Sequence, residues 1–278
     1  MDGKTELAGL VGWPVSHSRS PLIHNYWCEK YKVNAAYVPL PVPSGEVQTA
    51  LRGLAAAGFK GVNVTIPHKE AAFAVCDELT STAQRAGAAN TLRFEKGRII
   101  GDCTDGTGFC ENVLTHGGRL EGKVVILGAG GAARAVIAAL LDRGMKVMIA
   151  NRSRERAEVL TEALKGGEVI RWDEWPDHLA GTQLLVNATS LGMHGAASLD
   201  WDKALEKASS ELCVADIVYT PRETPLIQAA QRRSLKTVDG LGMLVCQAVE
   251  GFRLWFDVKP EVDDVLLGRL DDDLNREK

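Results

Sequence analysis

Short apolar runs alternate along the chain with longer stretches in which apolar residues recur at helical spacing. The runs 124–127 and 147–150 contain valine, isoleucine and other large apolar residues, which is typical of strands buried on both faces. Residues 44–57 instead place their large apolar side chains on one face of a predicted helix. Strands and helices that alternate in this way predict an α/β fold with mostly parallel sheets and helices on their faces.

A glycine-rich turn follows one of the predicted strands. The strand 123–127 meets Gly128 and Gly130, and an alanine-rich helix at 135–141 comes directly afterwards. Gly128 permits a tight turn, Gly130 lets the backbone approach a pyrophosphate, and the small Ala133 allows close packing of helix on strand. The helix N-terminus presents unpaired N–H groups to an anion. We therefore predict dinucleotide binding, with a purely structural turn as the alternative.

A basic segment follows the next predicted strand. Residues 145–150 lead into Asn151-Arg152-Ser153-Arg154-Glu155-Arg156, where an NAD-specific fold tends to place an acidic residue for the ribose hydroxyl. Each charge-assisted hydrogen bond from an arginine to a 2′-phosphate contributes about 1.5–3 kcal/mol. Two such bonds favour NADP over NAD by at least about a hundredfold. The alternative is an ordinary solvated helix start.

Two segments of the N-terminal part carry polar side chains at the ends of predicted strands. The loop 15–21 holds Ser18 and Ser20 beside a helix start, which suits a carboxylate but also suits N-capping. Lys69 follows the strand 61–66. A lysine there is commonly a solvated charge, although a rigid strand end is also a favourable place for a functional lysine.

Three further helices are predicted. Residues 70–86 read as one alanine-rich helix. Residues 240–250 form an apolar helix in which Gln247 is an uncharged amide, and an amphipathic helix covers 262–270. We expect the polar tail 271–278 to fray.

The length, composition and charge of the chain exclude only a few broad classes of function. The 278 residues are 45% apolar and 24% charged, with a net charge of -4 and a pI near 5.9. This length is sufficient for two domains, and the charge attracts neither nucleic acid nor an anionic membrane. The first residues lack a leader pattern and no apolar run reaches about 18 residues, so we expect a cytoplasmic protein.

Cysteine and histidine spacing gives no indication of a metal or a disulfide framework. The six cysteines include no Cys-x-x-Cys pair, and the six histidines show no ligand spacing. We expect reduced thiols and no metal cofactor. The histidines are His17, His24, His68, His116, His178 and His194.

A series of motifs in this chain resembles the shikimate dehydrogenase family. Several motifs in the same order over essentially the whole chain are more specific than any one of them. The segments that carry the resemblance are 12–21, 63–69, 87–91, 104–106, 128–132, 151–153, 187–193 and 239–244.

The resemblance implies an architecture and a reaction. An NADP-binding Rossmann domain at 106–238 is inserted into an α/β substrate-binding domain at 1–105 plus 239–278, with the substrate in the cleft. The implied reaction is the NADPH-dependent reduction of 3-dehydroshikimate to shikimate, in the pathway to aromatic amino acids.

The resemblance also implies roles for individual residues. Ser18, Ser20 and Tyr219 are expected to hold the substrate carboxylate, and Lys69 and Asp105 match the catalytic pair. The residues expected to bind the ring hydroxyls are Thr65, Asn90, Asp105 and Gln247. The residues expected to bind NADP(H) are Gly128, Ala129, Gly130, Gly131 and Ala132 at the pyrophosphate, Asn151, Arg152, Ser153 and Arg156 at the 2′-phosphate, and Thr189, Val218, Gly240 and Met243 near the nicotinamide.

One position departs from the family pattern, and two other functions stay open. Cys103 stands where the family usually has asparagine, and the missing amide could loosen the turn that aims Asp105. The alternatives are a quinate/shikimate dehydrogenase with relaxed substrate or cofactor choice and a non-catalytic NADP-sensing module of the same fold. We expect a small-molecule substrate, no nucleic-acid or membrane partner, and a monomer or homodimer.

Overall fold

The chain divides into two compact units in a computed structural model that describes residues 1–193, 195 and 199–276. The first unit comprises Met1–Thr104 together with the segment from Val245 onward, and the second comprises Asp105–Leu244. The predicted domains, 1–105 plus 239–278 and 106–238, differ from these units only in the assignment of Asp105 and residues 239–244. The α/β fold class is confirmed.

The first unit contains a six-stranded mixed sheet in the order β2-β1-β3-β5-β6-β4. Three of its five strand pairs are parallel, as predicted, and β5 is the exception because it pairs antiparallel with both β3 and β6. Strand β2, which contains proline, lies at one end of the sheet, where a residue without an N–H donor is tolerated. The strands are β1 (Glu6–Gly12), β2 (Ala35–Pro41), β3 (Gly61–Val64), β4 (Glu78–Leu79), β5 (Thr91–Glu95) and β6 (Arg98–Asp102).

The helices of this unit differ from the sequence prediction at residues 70–86, which do not form one helix. One helix ends at Val75, and another begins after Thr80, whose hydroxyl accepts from the Ala83 N–H. Between them Asp77 accepts hydrogen bonds from Arg52 and from the Ile99 N–H, which holds the chain extended. The helices are α1 (Ser20–Lys30), α2 (Val47–Ala56), α3 (Lys69–Val75) and α4 (Ser81–Ala86).

The second unit contains a six-stranded sheet in the order β12-β11-β10-β7-β8-β9, and its strands are all parallel. Buried apolar clusters cover both faces, as the apolar strand runs predict. The strands are β7 (Lys123–Leu127), β8 (Lys146–Ala150), β9 (Glu168–Ile170), β10 (Leu184–Asn187), β11 (Cys213–Asp216) and β12 (Lys236–Val238). The helices are α5 (Asp105–Thr115), α6 (Gly131–Asp142), α7 (Arg154–Leu164), a short 3-10 helix (Trp175–Leu179), α8 (Trp201–Ala204) and α9 (Pro225–Arg232).

The last two helices are longer than the sequence pattern indicates. Helix α10 spans Gly240–Phe256, and α11 spans Asp264–Arg276. The predicted fraying after residue 270 is wrong for residues 271–276, because Leu274 is buried in register with Leu270. Residues 277 and 278 lie outside the described residues. Among the helices described here, none is long and apolar enough to cross a membrane.

Candidate active site

The sheet of the first unit brings several predicted substrate residues to one edge. Strands β1 and β3 are parallel, so the Ser18 loop and Thr65 both follow strand ends at this edge. Strand β5 runs antiparallel to β3, and its start, next to Asn90, therefore lies at the same edge. The antiparallel pairing of β5 with β3 is what brings Asn90 there.

The serine loop is compact. The Ser18 N–H donates to the Val15 carbonyl at 3.1 Å, and the Ser20 N–H donates to Ser18 Oγ at 3.2 Å. Ser20 is buried as the first residue of α1. The loop thus holds the two serines in one turn at the start of a helix.

A buried amide and hydroxyl cluster lies around Asn90. Asn90 Oδ1 accepts from the Thr104 N–H at 2.8 Å, which sets the orientation of the amide. Asn90 Nδ2 then lies 3.1 Å from Thr104 Oγ1 and 3.4 Å from Gln247 Oε1. The structure therefore brings together Asn90 and Gln247, two of the predicted substrate residues, although they are far apart in sequence.

Residues behind this cluster were missed by the sequence analysis. Asn63 Nδ2 donates to Thr91 Oγ1 at 3.1 Å, and its Oδ1 accepts from the Tyr37 hydroxyl at 2.7 Å. Thr91 in turn lies 3.2 Å from Asn90 Oδ1. The polar residue Asn63 within an apolar strand was a visible signal, but its partners come from distant segments.

Lys69 begins helix α3 and is half-buried. Its carbonyl accepts from the Ala89 N–H at 3.0 Å, which ties it to the residue before Asn90. Thr65 is held by two backbone bonds, from its N–H to the Val11 carbonyl and from the His68 N–H to its carbonyl, both at 2.9 Å. Thr65, Lys69 and Asn90 are thus positioned by rigid backbone of the same unit.

The turn around Cys103 is held without a side-chain amide at that position. The Cys103 N–H donates to Asp102 Oδ1 at 2.7 Å, and the next N–H, that of Thr104, donates to Asn90. Cys103 itself is buried. The expectation that this departure loosens the turn is therefore not supported. Asp105 follows as the buried first residue of α5.

The predicted cofactor residues of the second unit follow the carboxyl ends of its parallel strands. The glycine turn follows β7, the basic segment follows β8, and the loops with Thr189 and Val218 follow β10 and β11. Because all six strands of this sheet run in one direction, these loops share one edge. This edge is where open parallel sheets bind ligands.

The glycine turn fits a pyrophosphate. Gly128 has a φ of +111°, and a Cβ there would lie 2.7 Å from the Ala188 carbonyl oxygen, so only glycine is accommodated. The space around Gly130 and Gly131 is open within 4 Å of an added Cβ. Helix α6 begins here with no side-chain cap, which leaves its first N–H groups available to an anion.

The basic segment separates its arginines into two groups. Arg154 pairs with Glu158 at 2.8 Å on the surface of α7. Among the described residues, Arg152 and Arg156 have no acidic partner, and both are exposed. Trp172, which the sequence analysis did not assign to the site, lies with its ring 5.8 Å from the Arg152 guanidinium carbon. Arg152 and Arg156 are therefore the arginines available to a phosphate.

A buried polar hub holds the loops after β10 and β11. Asn187 Oδ1 accepts from the Thr189 hydroxyl at 2.7 Å, and Asn187 Nδ2 donates to Asp216 Oδ1 at 3.0 Å. Asp216 also accepts from the Val218 N–H at 3.0 Å and from the Thr224 hydroxyl at 2.7 Å. Desolvation raises the pKa of Asp216 to about 6. The sequence analysis did not identify this carboxylate.

The remaining predicted residues near the nicotinamide have different surroundings. Gly240 begins α10 against the backbone of Ile217, where a Cβ would lie 2.5 Å from a carbonyl oxygen. Met243 packs in the apolar core of the second unit and is 8% exposed. Tyr219 is half-buried. Only the edge of Met243 is thus available to a ligand.

No group of three or more histidine, cysteine or acidic side chains suited to a metal occurs within the described part of the chain. His194, one of the histidines considered above, lies outside the described residues.

A parallel sheet with a phosphate loop and a basic segment at its carboxyl edge defines a dinucleotide-binding α/β protein, here with a second α/β unit rich in buried amides and hydroxyls. Residues 10–92 match the family described as "Shikimate dehydrogenase substrate binding domain". Residues 114–244 match "Shikimate / quinate 5-dehydrogenase", and residues 240–266 match "Shikimate 5'-dehydrogenase C-terminal domain". The chain belongs to the shikimate dehydrogenase family.

Individual relatives agree with this assignment. The chain is 67% identical over 263 residues to shikimate dehydrogenase (NADP(+)) of Gluconobacter oxydans, covering 95% of this chain and 94% of that protein. It superposes with a TM-score of 0.86 and 34% identity on the Thermus thermophilus shikimate 5-dehydrogenase in complex with NADP(H) and shikimate, covering 98% and 99%. Quinate dehydrogenase from Corynebacterium glutamicum in complex with NAD also superposes with a TM-score of 0.86, at 31% identity and with 96% and 99% coverage.

Proposed function

We propose that this chain catalyses the reversible, NADP(H)-dependent reduction of 3-dehydroshikimate to shikimate, a step toward the aromatic amino acids. Family membership and the NADP-dependent relative support the proposal. The observation that carries it is the Asn90 cluster, in which two amides meet beside the backbone that holds Lys69. Such a group of donors and acceptors suits a ring that carries several hydroxyls and a ketone.

The substrate has an anionic carboxylate and a neutral ring with hydroxyls, and different residues bind each part. The hydroxyls of Ser18, Ser20 and Tyr219 donate to the carboxylate, which is a strong acceptor. Hydroxyl and amide groups bind the ring hydroxyls, because they can both donate and accept. These groups are Thr65, Asn90 and Gln247, and the Asp105 carboxylate accepts from a ring hydroxyl.

The chemistry requires a proton at the oxygen of the ketone. When bound, NADPH supplies the hydride that adds to the carbonyl carbon and is itself oxidised to NADP+. The ammonium of Lys69 stabilises the developing alkoxide and donates the proton to it. Asp105 orients the ammonium and accepts from a neighbouring hydroxyl. Lys69 then recovers its proton from water.

Cofactor binding uses the loops at the carboxyl edge of the second sheet. The backbone of Gly128 to Ala132 binds the pyrophosphate, and Thr189, Val218, Gly240 and Met243 lie toward the nicotinamide. Asn151, Arg152, Ser153 and Arg156 bind the 2′-phosphate. The two arginines without acidic partners support NADP over NAD, because a near-dianionic phosphate gains charge-assisted hydrogen bonds from them.

A quinate/shikimate dehydrogenase with relaxed choice is the second candidate. The similarity to a quinate dehydrogenase in complex with NAD favours it, whereas Arg152 and Arg156 favour NADP. A non-catalytic NADP-sensing module is disfavoured because Lys69 and Asp105 are both present. Turnover of shikimate and quinate, each with NADP+ and NAD+, distinguishes the three. We expect shikimate with NADP+ to give the highest kcat/KM, and NADPH binding without turnover would indicate the sensing module.

Three further predictions remain part of this proposal. Residues 1–105 plus 239–278 form the substrate-binding domain, and residues 106–238 form the NADP-binding Rossmann domain. The protein acts in the cytoplasm as a monomer or a homodimer.

A further inference from the structure

Arg19 lies between the two serines proposed to bind the substrate carboxylate, and its side chain is almost completely buried. The residue is 4% exposed. Its Nε donates to Asp273 Oδ2 at 3.0 Å, and its Nη1 donates to the His17 carbonyl. A guanidinium that is this buried requires such partners, because an unpaired buried charge is strongly destabilising.

These contacts join the serine loop to the C-terminal helix. The His17 carbonyl precedes Ser18, and the Arg19 carbonyl accepts from the Ile23 N–H at 3.1 Å as α1 begins. The Arg19 side chain therefore links the loop backbone, through its guanidinium, to a residue of α11.

Helix α11 is a rigid anchor for that link. Leu266, Leu270 and Leu274 are buried along one face. The segment just before α11 is also fixed to α1, because the Tyr26 hydroxyl donates to Asp263 at 2.6 Å and Lys30 pairs with the same carboxylate at 2.7 Å. A helix held in this way can define the position of a loop that it contacts.

We propose that Arg19 is a positioning residue for the substrate carboxylate, and that it fixes the Ser18 and Ser20 hydroxyls by tying their loop to Asp273 of α11. This inference rests on the proposed function, in which those serines bind the carboxylate of shikimate. Under this proposal the C-terminal helix α11 contributes to substrate affinity and has no role in the chemical step.

A simpler interpretation is that the Arg19 charge attracts the carboxylate through space. The two interpretations give opposite signs for the neutralisation of Asp273. Removing a negative charge raises the local positive potential and lowers the KM for shikimate if only attraction matters. If positioning matters, the same change loosens the loop and raises the KM.

The test compares Asp273→Asn with Asp272→Asn. Both variants remove one negative charge from α11, but Asp272 is exposed and, within the described part of the chain, its side chain makes no hydrogen bond or ion pair. We expect D273N to raise the KM and the directly measured dissociation constant of shikimate about 3- to 10-fold, because one partly exposed charge-assisted bond is lost. The kcat and the KM for NADP+ stay within about twofold, as a change in ground-state binding alone requires. We expect D272N to have the same KM, dissociation constant and kcat as the unmodified protein.

A second variant keeps the test independent of the folding of D273N. Arg19→Lys retains the charge but cannot bond both His17 and Asp273 with a planar fork, so we expect the same rise in the shikimate KM. An unchanged or lower KM in a folded D273N, or a normal KM in R19K, overturns the positioning role and leaves the proposed function intact. An unmodified chain that neither binds nor oxidises shikimate overturns both.

Discussion

Asn187 and Asp216 are the last residues of two adjacent parallel strands, and their side chains form a direct hydrogen bond of 3.0 Å. Asn187 also accepts from Thr189, and Asp216 accepts from the Val218 N–H and from Thr224. One buried pair therefore fixes the two loops that we assign to the nicotinamide end of the cofactor. Such a buried network holds the two loops in one arrangement only while each of its polar groups has a hydrogen-bond partner.

Asp216 gives the second unit a pH-dependent stability with a definite sign. Its pKa is raised from 3.8 to about 6, so the folded chain holds the proton more tightly than the unfolded chain does. Stability is therefore highest below about pH 4 for this group and falls as the pH rises to about 6, by roughly 3 kcal/mol. We expect Asp216→Asn to remove this dependence. The difference in unfolding free energy between the two proteins, measured by denaturant titration from pH 4 to 7, isolates the group.

The pH dependence of that difference distinguishes the titration of Asp216 from a general loss of stability in the variant. A difference that changes with pH across this window supports the raised pKa of Asp216. A constant difference contradicts it, whatever its size. The kcat of the same variant at pH 7 reports separately on how well the Thr189 and Val218 loops are held.

His24 produces the opposite slope in the first unit. Its ring is fully buried, stacks on Tyr37 with centroids 4.2 Å apart, and has no hydrogen-bond partner on either nitrogen among the described residues. Burial lowers the pKa of His24 from 6.5 to about 3, because the charged form is excluded from an aromatic core. The contribution of this group to stability is complete above about pH 6.5 and is lost as the pH falls toward 3, by up to about 5 kcal/mol.

Replacing His24 with phenylalanine tests this directly. The ring would still pack among Trp27, Tyr37, Phe252 and Trp255, but it could not titrate. We expect His24→Phe to resist acid unfolding between pH 6.5 and 4 better than the unmodified chain, whereas the exposed His116→Phe does not. Equal acid midpoints for the two variants would argue that another group controls acid unfolding.

The arginines after β8 predict a selective loss of NADP binding. Replacing both Arg152 and Arg156 with alanine removes two charge-assisted hydrogen bonds to the 2′-phosphate, which raises the dissociation constant of NADP+ at least about a hundredfold. The dissociation constant of NAD+ changes little, since NAD+ lacks that phosphate. Isothermal titration calorimetry with both cofactors gives the ratio of their dissociation constants.

Arg154→Ala is the matched control for that measurement. Arg154 is on the same turn, but it pairs with Glu158 at 2.8 Å. We expect its loss to leave cofactor selectivity unchanged. A similar loss of NADP+ binding in this control would show that overall positive charge, and not the two assigned side chains, sets the preference.

Sequence patterns predicted the elements that depend on neighbours along the chain. The glycine turn at Gly128 and the basic segment could be predicted because strand, turn and helix signals lie within a few residues. The continuation of α11 was missed because 271–276 is almost entirely polar, although Leu274 follows Leu270 at helical spacing. The helical pattern of 70–86 was overridden by the bonds of Asp77 to Arg52 and Ile99.

The polar networks behind the site could not be predicted, because their members come from different strands, loops and helices that are distant in sequence. Asn187 and Asp216 are separated by 29 residues, and Asn90 and Gln247 by 157. Periodicity indicates which face of a strand a residue occupies, but it does not indicate which residue of another strand lies opposite. Asn90 and Gln247 were predicted as site residues from the motif resemblance, whereas Asn63 and Asp216 were identified only in the structure.

The central claim is that Lys69 supplies the proton in an NADP-dependent ketone reduction, and Lys69→Ala tests it most directly. The surface variant Lys60→Ala, which breaks only the exposed pair with Glu6, is the control. We expect Lys69→Ala to lower the kcat for 3-dehydroshikimate reduction by about 10²- to 10⁴-fold while the dissociation constant of NADPH stays unchanged. Near-normal turnover in a folded Lys69→Ala protein would contradict the account.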